Sequence, residues 1–327
     1  MRLCLLATTV LALAVATVPL PAREASTTAL PLPASGVIGV GDAQLTPAFW
    51  IAQQAQPQRV LLDTAQIAAQ NAKLMRLDSS LHDLRALPPT LERTQVAGWI
   101  EARSQRPARP LFDVDGTPIP AATLDALVDQ LALDAIPAQQ PTRYGLVVRR
   151  AALRTFPTAL RVFSERGETD IDRFQESAEF PGTPVVIAHT SRDGAWLFVL
   201  SPRYAAWIAK ADVAEGSAAQ VFDYVDKTPY RVITGAVERT VFTREQPAVS
   251  QLPLDMGTRV PLLTGLPPTQ PVNGQTPYTS HVLELPQRAA DGRLQFIPAL
   301  LQKNADSAPG YLPLTPENLI TQAFKFL

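Results

Sequence analysis

From Leu153 to Val213, apolar and polar positions alternate with the two-residue period of β structure. Leu160 and Val162 alternate with Arg161 and Phe163, and Pro184 to His189 is an apolar, β-branched run. Further on, Trp196, Phe198 and Leu200 share one face and Leu197 and Val199 the other. Three strands are predicted. Asp193-Gly194, between the second and third, supplies the positive φ angles of a tight hairpin turn and makes those strands antiparallel neighbours. A long polar connection from Glu165 to Gly182, and the short Ser201-Pro202-Arg203-Tyr204 link before Trp207, complete the order of a small β barrel. Loops of this kind often carry binding.

Upstream the period lengthens to that of helices. Asp63 is an N-cap with Gln66 three residues on, and Ile67, Ala68, Asn71 and Leu74 mark one face of a helix over Val60 to Leu74. A second helix is predicted from Thr90, carrying Leu91, Val96, Trp99 and Ile100. A third runs from Pro120 to Leu133 with Leu124, Leu127, Val128 and Leu131 on one stripe.

Downstream, Ala214-Glu215-Gly216-Ser217 reads as a hinge, followed by a second β-rich region from Pro229 to Pro309. Its strands are expected around Val232-Ile233, Val241-Phe242, Val260 to Leu263, His281 to Leu285 and Leu294 to Ile297, with a tight turn at Asn273-Gly274. The last helix opens at Thr315, an N-cap followed by Pro316 and Glu317, and lines up Leu319, Ile320, Ala323, Phe324 and Leu327. An amphipathic helix this short needs a surface to pack on. A following domain and the second β region both qualify.

Composition narrows the function classes. With 29 basic and 30 acidic residues, nothing in the charge asks for nucleic acid or an anionic membrane. Met1-Arg2, the apolar run Leu3 to Ala16 and the small-x-small Ala14-Val15-Ala16 predict an export signal, with cleavage as late as Ala22. That run is too short for a convincing membrane span, and none is expected once the signal is removed. Residues 23–45 read as a lead-in.

The single cysteine, Cys4, lies in the signal, so the mature chain is expected to lack a thiol nucleophile, a disulfide and a thiolate metal site. His82, His189 and His281 lack zinc-site spacing, and no metal or cofactor is expected. Asp113-Val114-Asp115-Gly116-Thr117 has the DxDGT form of the haloacid-dehalogenase phosphotransferases. That chemistry needs a buried parallel strand before the motif, whereas prolines follow it here, which favours an Asp-Gly turn.

Phe156-Pro157-Thr158, Asp172 to Ser177, Gly182 to Val185, His189 to Trp196 and Ser201 to Trp207 form an ordered set of motifs. Together they resemble the first bacterial SH3 (SH3b1) domain of multidomain NlpC/P60 peptidoglycan hydrolases. Ala206 departs from the glycine more usual there. Leu254 to Gly257, Pro271 to Gln275 and Ser280 to Leu283 resemble the second such domain (SH3b2), more loosely, and the upstream helical region resembles the family's N-terminal clip domain.

The expected fold is therefore mainly β, with an N-terminal helical region and two small SH3-like barrels. The resemblance divides the chain into a signal over 1–22, a linker over 23–45, a clip-like domain over 46–150, SH3b1-like and SH3b2-like domains over 151–214 and 215–314, and the start of a catalytic domain over 315–327.

The resemblance implies an exported chain, periplasmic or of the cell envelope. It would be the non-catalytic, stabilising and groove-forming part of a γ-D-glutamyl-diamino acid endopeptidase. Its partners would be the peptidoglycan stem peptide and a missing or separate catalytic domain. The substrate-binding residues carried over are Asp172, for a peptide ammonium, Gln175 and Ser201, for backbone groups, and Phe174, Tyr204 and Trp207, for the pocket wall. A second reading makes Phe174 and Trp207 core and Asp172 an organiser of its loop. A stand-alone cell-wall or protein-binding chain is the alternative function.

Overall fold

The computed structural model describes residues 36–267 and 269–327, which fall in two units divided after Leu45. The expected signal and most of the linker lie outside the described residues. In the first unit a 3-10 helix covers Asp42–Leu45, with the Gly41 N–H donating to Gln44 Oε1 at 2.7 Å.

The second unit begins with α1 (Pro47–Ile51) and α2 (Thr64–Leu77). Asp63 and Gln66 form the expected capping box, each side chain accepting from the other's backbone N–H at 2.8 and 2.9 Å, so α2 starts just after the cap rather than at Val60. None of its residues is buried. Residues 90–92, expected as the start of a helix, are instead strand β1 (Thr90–Glu92), and α3 (Arg93–Arg103) follows it. Helix α4 (Ala121–Gln130) buries Leu124 and Leu127, with Leu131 buried just past its end. Strand β2 (Gln139–Pro141) then pairs with β1, which is why Thr90–Glu92 is extended.

Seven further strands build one antiparallel sheet: β3 (Arg143–Val147), β4 (Ala151–Arg154), β5 (Gln175–Glu179), β6 (Pro184–Thr190), β7 (Trp196–Leu200), β8 (Ala205–Ala209) and β9 (Val213–Gly216). Their order is β5-β4-β8-β7-β6-β3-β9. Both faces are buried, which explains the near-continuous apolar runs of β6 and β7. On one face Val186, Ala188, Phe198, Leu200 and Trp207 pack with Val96 and Ile100 of α3 and Leu124 and Leu127 of α4. On the other, Val185, Ile187, Leu197, Val199, Ala206 and Ile208 form a second core with Val147, Leu153 and Val213.

The β6–β7 hairpin is present as expected, although Gly194 alone takes a positive φ, +72°, and its N–H closes the turn on Ser191 O at 2.9 Å. The strand expected at 160–163 is replaced by irregular chain bridged only at Phe163. Side chains satisfy its backbone instead. Arg154 Nη2 donates to Leu160 O, and Val162 N–H donates to Asp172 Oδ1 at 3.2 Å.

The expected hinge at 214–217 is also corrected, because β9 pairs with β3 along its whole length. Gly145 of β3 leaves room for this close approach. A Cβ there would sit 2.8 Å from Ala214 O and 2.9 Å from Val213 Cγ1. Gly145→Ala is expected to destabilise the unit by about 1–3 kcal/mol through overpacking. An unchanged urea midpoint in the variant would contradict that packing.

Helix α5 (Ala218–Asp226), capped by Ser217, places Val221 and Tyr224 in a core with Leu146, Ala214 and Leu294. After β10 (Tyr230–Ile233), β11 (Val237–Arg239), β12 (Pro253–Asp255) and β13 (Arg259–Pro261), a long ribbon forms from β14 (Ser280–Arg288) and β15 (Leu294–Gln302). Strand β16 (Ser307–Ala308) pairs with β10 on the side opposite β13. Val241-Phe242 is not a strand, and Phe242 is exposed. At Asn273-Gly274 both φ angles are positive, +50° and +74°, and Val272 and Gln275 bond reciprocally across the expected turn.

Helix α6 (Pro316–Ala323) is capped by Thr315, whose hydroxyl accepts from Asn318 N at 3.1 Å. It packs on α1, with Glu317 N–H donating to Pro57 O at 2.9 Å, while Leu319, Phe326 and Leu327 remain exposed. The fold is thus mainly β, with several antiparallel sheets and a few helices. Among the described residues no helix is long and apolar enough to cross a membrane.

Candidate functional site

A groove of about 550 Å³ opens where the 159–175 loop passes over β4, bordered by Arg154, Arg161, Ile171, Asp172, Gln175 and Trp196. One buried ion pair shapes it. Arg154 and Asp172, with side chains 5% and 9% exposed, meet at 2.5 Å. Arg154 Nε also donates to Thr158 O at 3.1 Å, and Nη1 to Gln175 Oε1 at 3.3 Å. Asp172 Oδ1 accepts from the N–H groups of Val162 and Phe174 at 3.2 and 3.0 Å. The loop is stitched to the strand through these two side chains. Asp172 therefore gives its charge to Arg154, and its expected role toward a ligand ammonium is already occupied.

The remaining expected residues divide by burial. Phe174, 2% exposed, packs edge-on against Phe156 with centroids 5.1 Å apart. Trp207, fully buried, meets Phe198 edge-on at 5.4 Å and donates Nε1–H to Ser104 Oγ at 3.0 Å. Both rings sit in the core rather than in a pocket wall, because the α3–α4 layer covers the face of the sheet that carries them. Ser201 is also buried, its hydroxyl accepting from the N–H groups of Arg203 and Tyr204 at 3.2 and 3.1 Å to form the β7–β8 turn.

Tyr204 is half-buried and donates to Glu176 Oε2 at 2.6 Å. The same carboxylate oxygen takes Arg103 Nη1 at 2.9 Å, and Arg103 lies over the Tyr204 ring at 4.4 Å. Burial first, then the neighbouring Glu176 carboxylate, pushes the Tyr204 hydroxyl above the ordinary tyrosine range. This network fastens α3 to the β5 edge of the sheet. Of the six expected residues, only Asp172 and Gln175 border the groove.

Sequence reasoning passed over Asp170, Ile171 and Trp196. Ile171 is 63% exposed at the groove, and the exposed Asp170 carboxylate beside it has no ion pair among the described residues. An apolar residue flanked by two aspartates in a polar loop was the available signal. The groove thus offers an unpaired carboxylate, an aliphatic surface and part of an indole, while the Gln175 amide beside them is bonded at both ends, Oε1 accepting from Arg154 and Nε2 donating to Ser177 O.

The DxDGT segment is a turn. Asp113 Oδ1 accepts from the N–H groups of Asp115 and Thr117 at 3.0 and 2.8 Å, between the bridged residues Phe112 and Pro118. His189 is buried, with Nε2 3.1 Å from both Leu131 O and Ala132 O, so this nitrogen carries the proton. Burial holds its pKa below the ordinary histidine value.

The family model for an SH3 domain of the SH3b1 type matches residues 161–209, which span the groove loop and β5 to β8. No curated protein matches the chain. A solved structure described as a novel NlpC/P60 endopeptidase from Photobacterium damselae subsp. piscicida is similar at a TM-score of 0.63 and 16% identity. The match covers 85% of this chain and 60% of that one, so the present chain spans about three-fifths of its length. At that identity the likeness is one of fold. The chain carries an SH3b1-type domain over residues 161–209, within a fold shared with that endopeptidase structure.

Proposed function

We propose that this chain is the exported, non-catalytic, groove-forming and stabilising part of an NlpC/P60-type γ-D-glutamyl-diamino acid endopeptidase acting on peptidoglycan stem peptides. Its catalytic domain is supplied by further polypeptide, and its β regions act as two SH3-like barrels. The observation that carries this reading is that the SH3b1 match, residues 161–209, takes in most of the groove's lining, from Arg161 to Trp196, with β4 lying just upstream of it. Domains of this type often bind cell-wall peptidoglycan. In the groove, Asp170 takes the ligand ammonium in place of the already paired Asp172, and Ile171 and Trp196 cover the aliphatic part of the ligand, with Gln175 bonded to Arg154 and Ser177 at its edge.

Titration of the purified chain with the tripeptide L-Ala-γ-D-Glu-diaminopimelate tests this. Saturable binding is expected, about tenfold weaker in Asp170→Asn through loss of a charge-assisted hydrogen bond. Chromatography of the incubated peptide should show no cleavage. Equal affinity in Asp170→Asn would remove the groove as the peptide site, and cleavage would overturn the non-catalytic reading.

A further inference from the structure

A second cleft, of about 650 Å³, lies on the far side of the sheet from that groove's loop, between β3 and β9 and the turn of the β14–β15 ribbon. Arg143, Lys210, Arg288 and Arg293 line it against two carboxylates, Glu215 and Asp291, leaving two positive charges in excess. The cations come from separate elements. Arg143 stands on β3, Lys210 in the segment after β8, Arg288 at the end of β14 and Arg293 at the turn. Like charges gathered this way repel one another unless something between them is negative.

Two of the four are already matched. Arg143 forms a bidentate pair with Glu215, at 2.7 and 2.5 Å, and the exposed Arg293 lies 3.5 Å from Asp291. The other two are not. Among the described residues neither Lys210 nor Arg288 has a carboxylate within 4.0 Å. Arg288 is nevertheless fixed in place, because Nη1 donates to Val213 O at 2.7 Å and Gly292 O at 3.1 Å. Its Nε and Nη2 N–H groups make no hydrogen bond among the described residues, so one edge of a planar donor fork is held ready. Gly292, at φ +90°, permits this arrangement, since a Cβ there would fall 2.7 Å from Nη2.

Buried Ile187, Leu197 and Val213 contribute an apolar lining, which strengthens the field the cations place in the cleft. The field is already felt within the cleft: Glu215 is held below the ordinary carboxylate range, first by its bonds to Arg143 and then also by the charges of Arg288 and Lys210.

We propose that this cleft is an oxyanion site, taking a phosphate or carboxylate group on the free edge of Arg288 with Lys210 as the second cation. The proposal is independent of the function assigned to the groove. Its test is a titration of the whole chain, followed by NMR of the backbone amides and arginine Nε–H groups, with sodium phosphate at constant ionic strength. Dimethyl phosphate and acetate serve as parallel probes.

Saturating shifts at Gly216, Gly292 and Arg288 Nε–H are expected with phosphate. Affinity should fall about tenfold in Lys210→Gln, since the Lys210 side chain makes no hydrogen bond or ion pair among the described residues. Saturation by dimethyl phosphate as well assigns the site to phosphodiesters, saturation by acetate extends it to carboxylates, and saturation by phosphate alone assigns it to phosphate dianions. Arg288→Lys, which keeps the charge but removes the fork, should also bind phosphate more weakly. Linear shifts without saturation, shifts reproduced by chloride, or equal affinity in both variants would overturn the proposal.

Discussion

Trp207→Ala should lower the stability of the second unit by about 3–5 kcal/mol, the range for removing a buried tryptophan. The indole is fully buried and touches three parts of the fold at once. It packs edge-on against Phe198 of β7, faces His189 of β6 at 6.3 Å, and hydrogen-bonds Ser104 at the end of α3. Ser104 in turn donates to Thr155 O at 2.7 Å, so the ring belongs to a short chain of bonds running from helix to sheet.

Trp207→Phe keeps most of the apolar contact and gives up the N–H, so its expected loss is smaller, about 1–2 kcal/mol. Ser104→Ala should cost about 1–2 kcal/mol, because it also removes the bond to Thr155 O, and the two losses should add only in part, since they share the Trp207–Ser104 bond. Urea unfolding followed by circular dichroism of the wild type, the three single variants and the Trp207→Phe/Ser104→Ala double variant measures these losses. An alanine variant with the wild-type midpoint would show that this ring is not in the core.

The same residue shows where reading the sequence reached its limit. Alternation in β6 and β7, the Asp193-Gly194 and Asn273-Gly274 turns, and the caps at Asp63 and Thr315 are local signals, and local signals are legible. Whether Phe174 and Trp207 face a ligand or a helix is a tertiary matter. A strand buried on both faces has no polar side to indicate which apolar residues meet which layer.

Strand β5, Gln-Glu-Ser-Ala-Glu, is polar because it lies at a sheet edge, and it reads as loop until β4 is placed beside it. Strand β9 reads as a hinge because its small residues are what close approach to Gly145 requires. In the groove, the composition of the loop was visible, but the pairing of Asp172 with Arg154, eighteen positions away, was not. That pairing moves the free charge from Asp172 to Asp170.

Asp172→Ala should be among the most damaging substitutions in the chain, costing about 3–5 kcal/mol, because it leaves the Arg154 guanidinium buried without its carboxylate. It also removes the acceptor for the N–H groups of Val162 and Phe174, so the 159–175 loop should come loose from β4 and be cut by protease before the rest of the unit. Replacing both partners, Arg154→Met with Asp172→Leu, eliminates the unpaired charge and should recover much of that stability, although the loop hydrogen bonds stay lost.

Asp172→Asn separates the two roles this residue could have. As an organiser, it should lose stability when it loses its charge, and tripeptide affinity should follow only as far as the loop loosens. As a ligand contact, it would keep its stability and lose affinity outright. The buried pair predicts the first pattern for Asp172 and the second for Asp170, whose exposed carboxylate makes no hydrogen bond or ion pair among the described residues. An Asp172→Asn protein with wild-type stability and no tripeptide binding would reverse that assignment and return the recognition of the ammonium to Asp172.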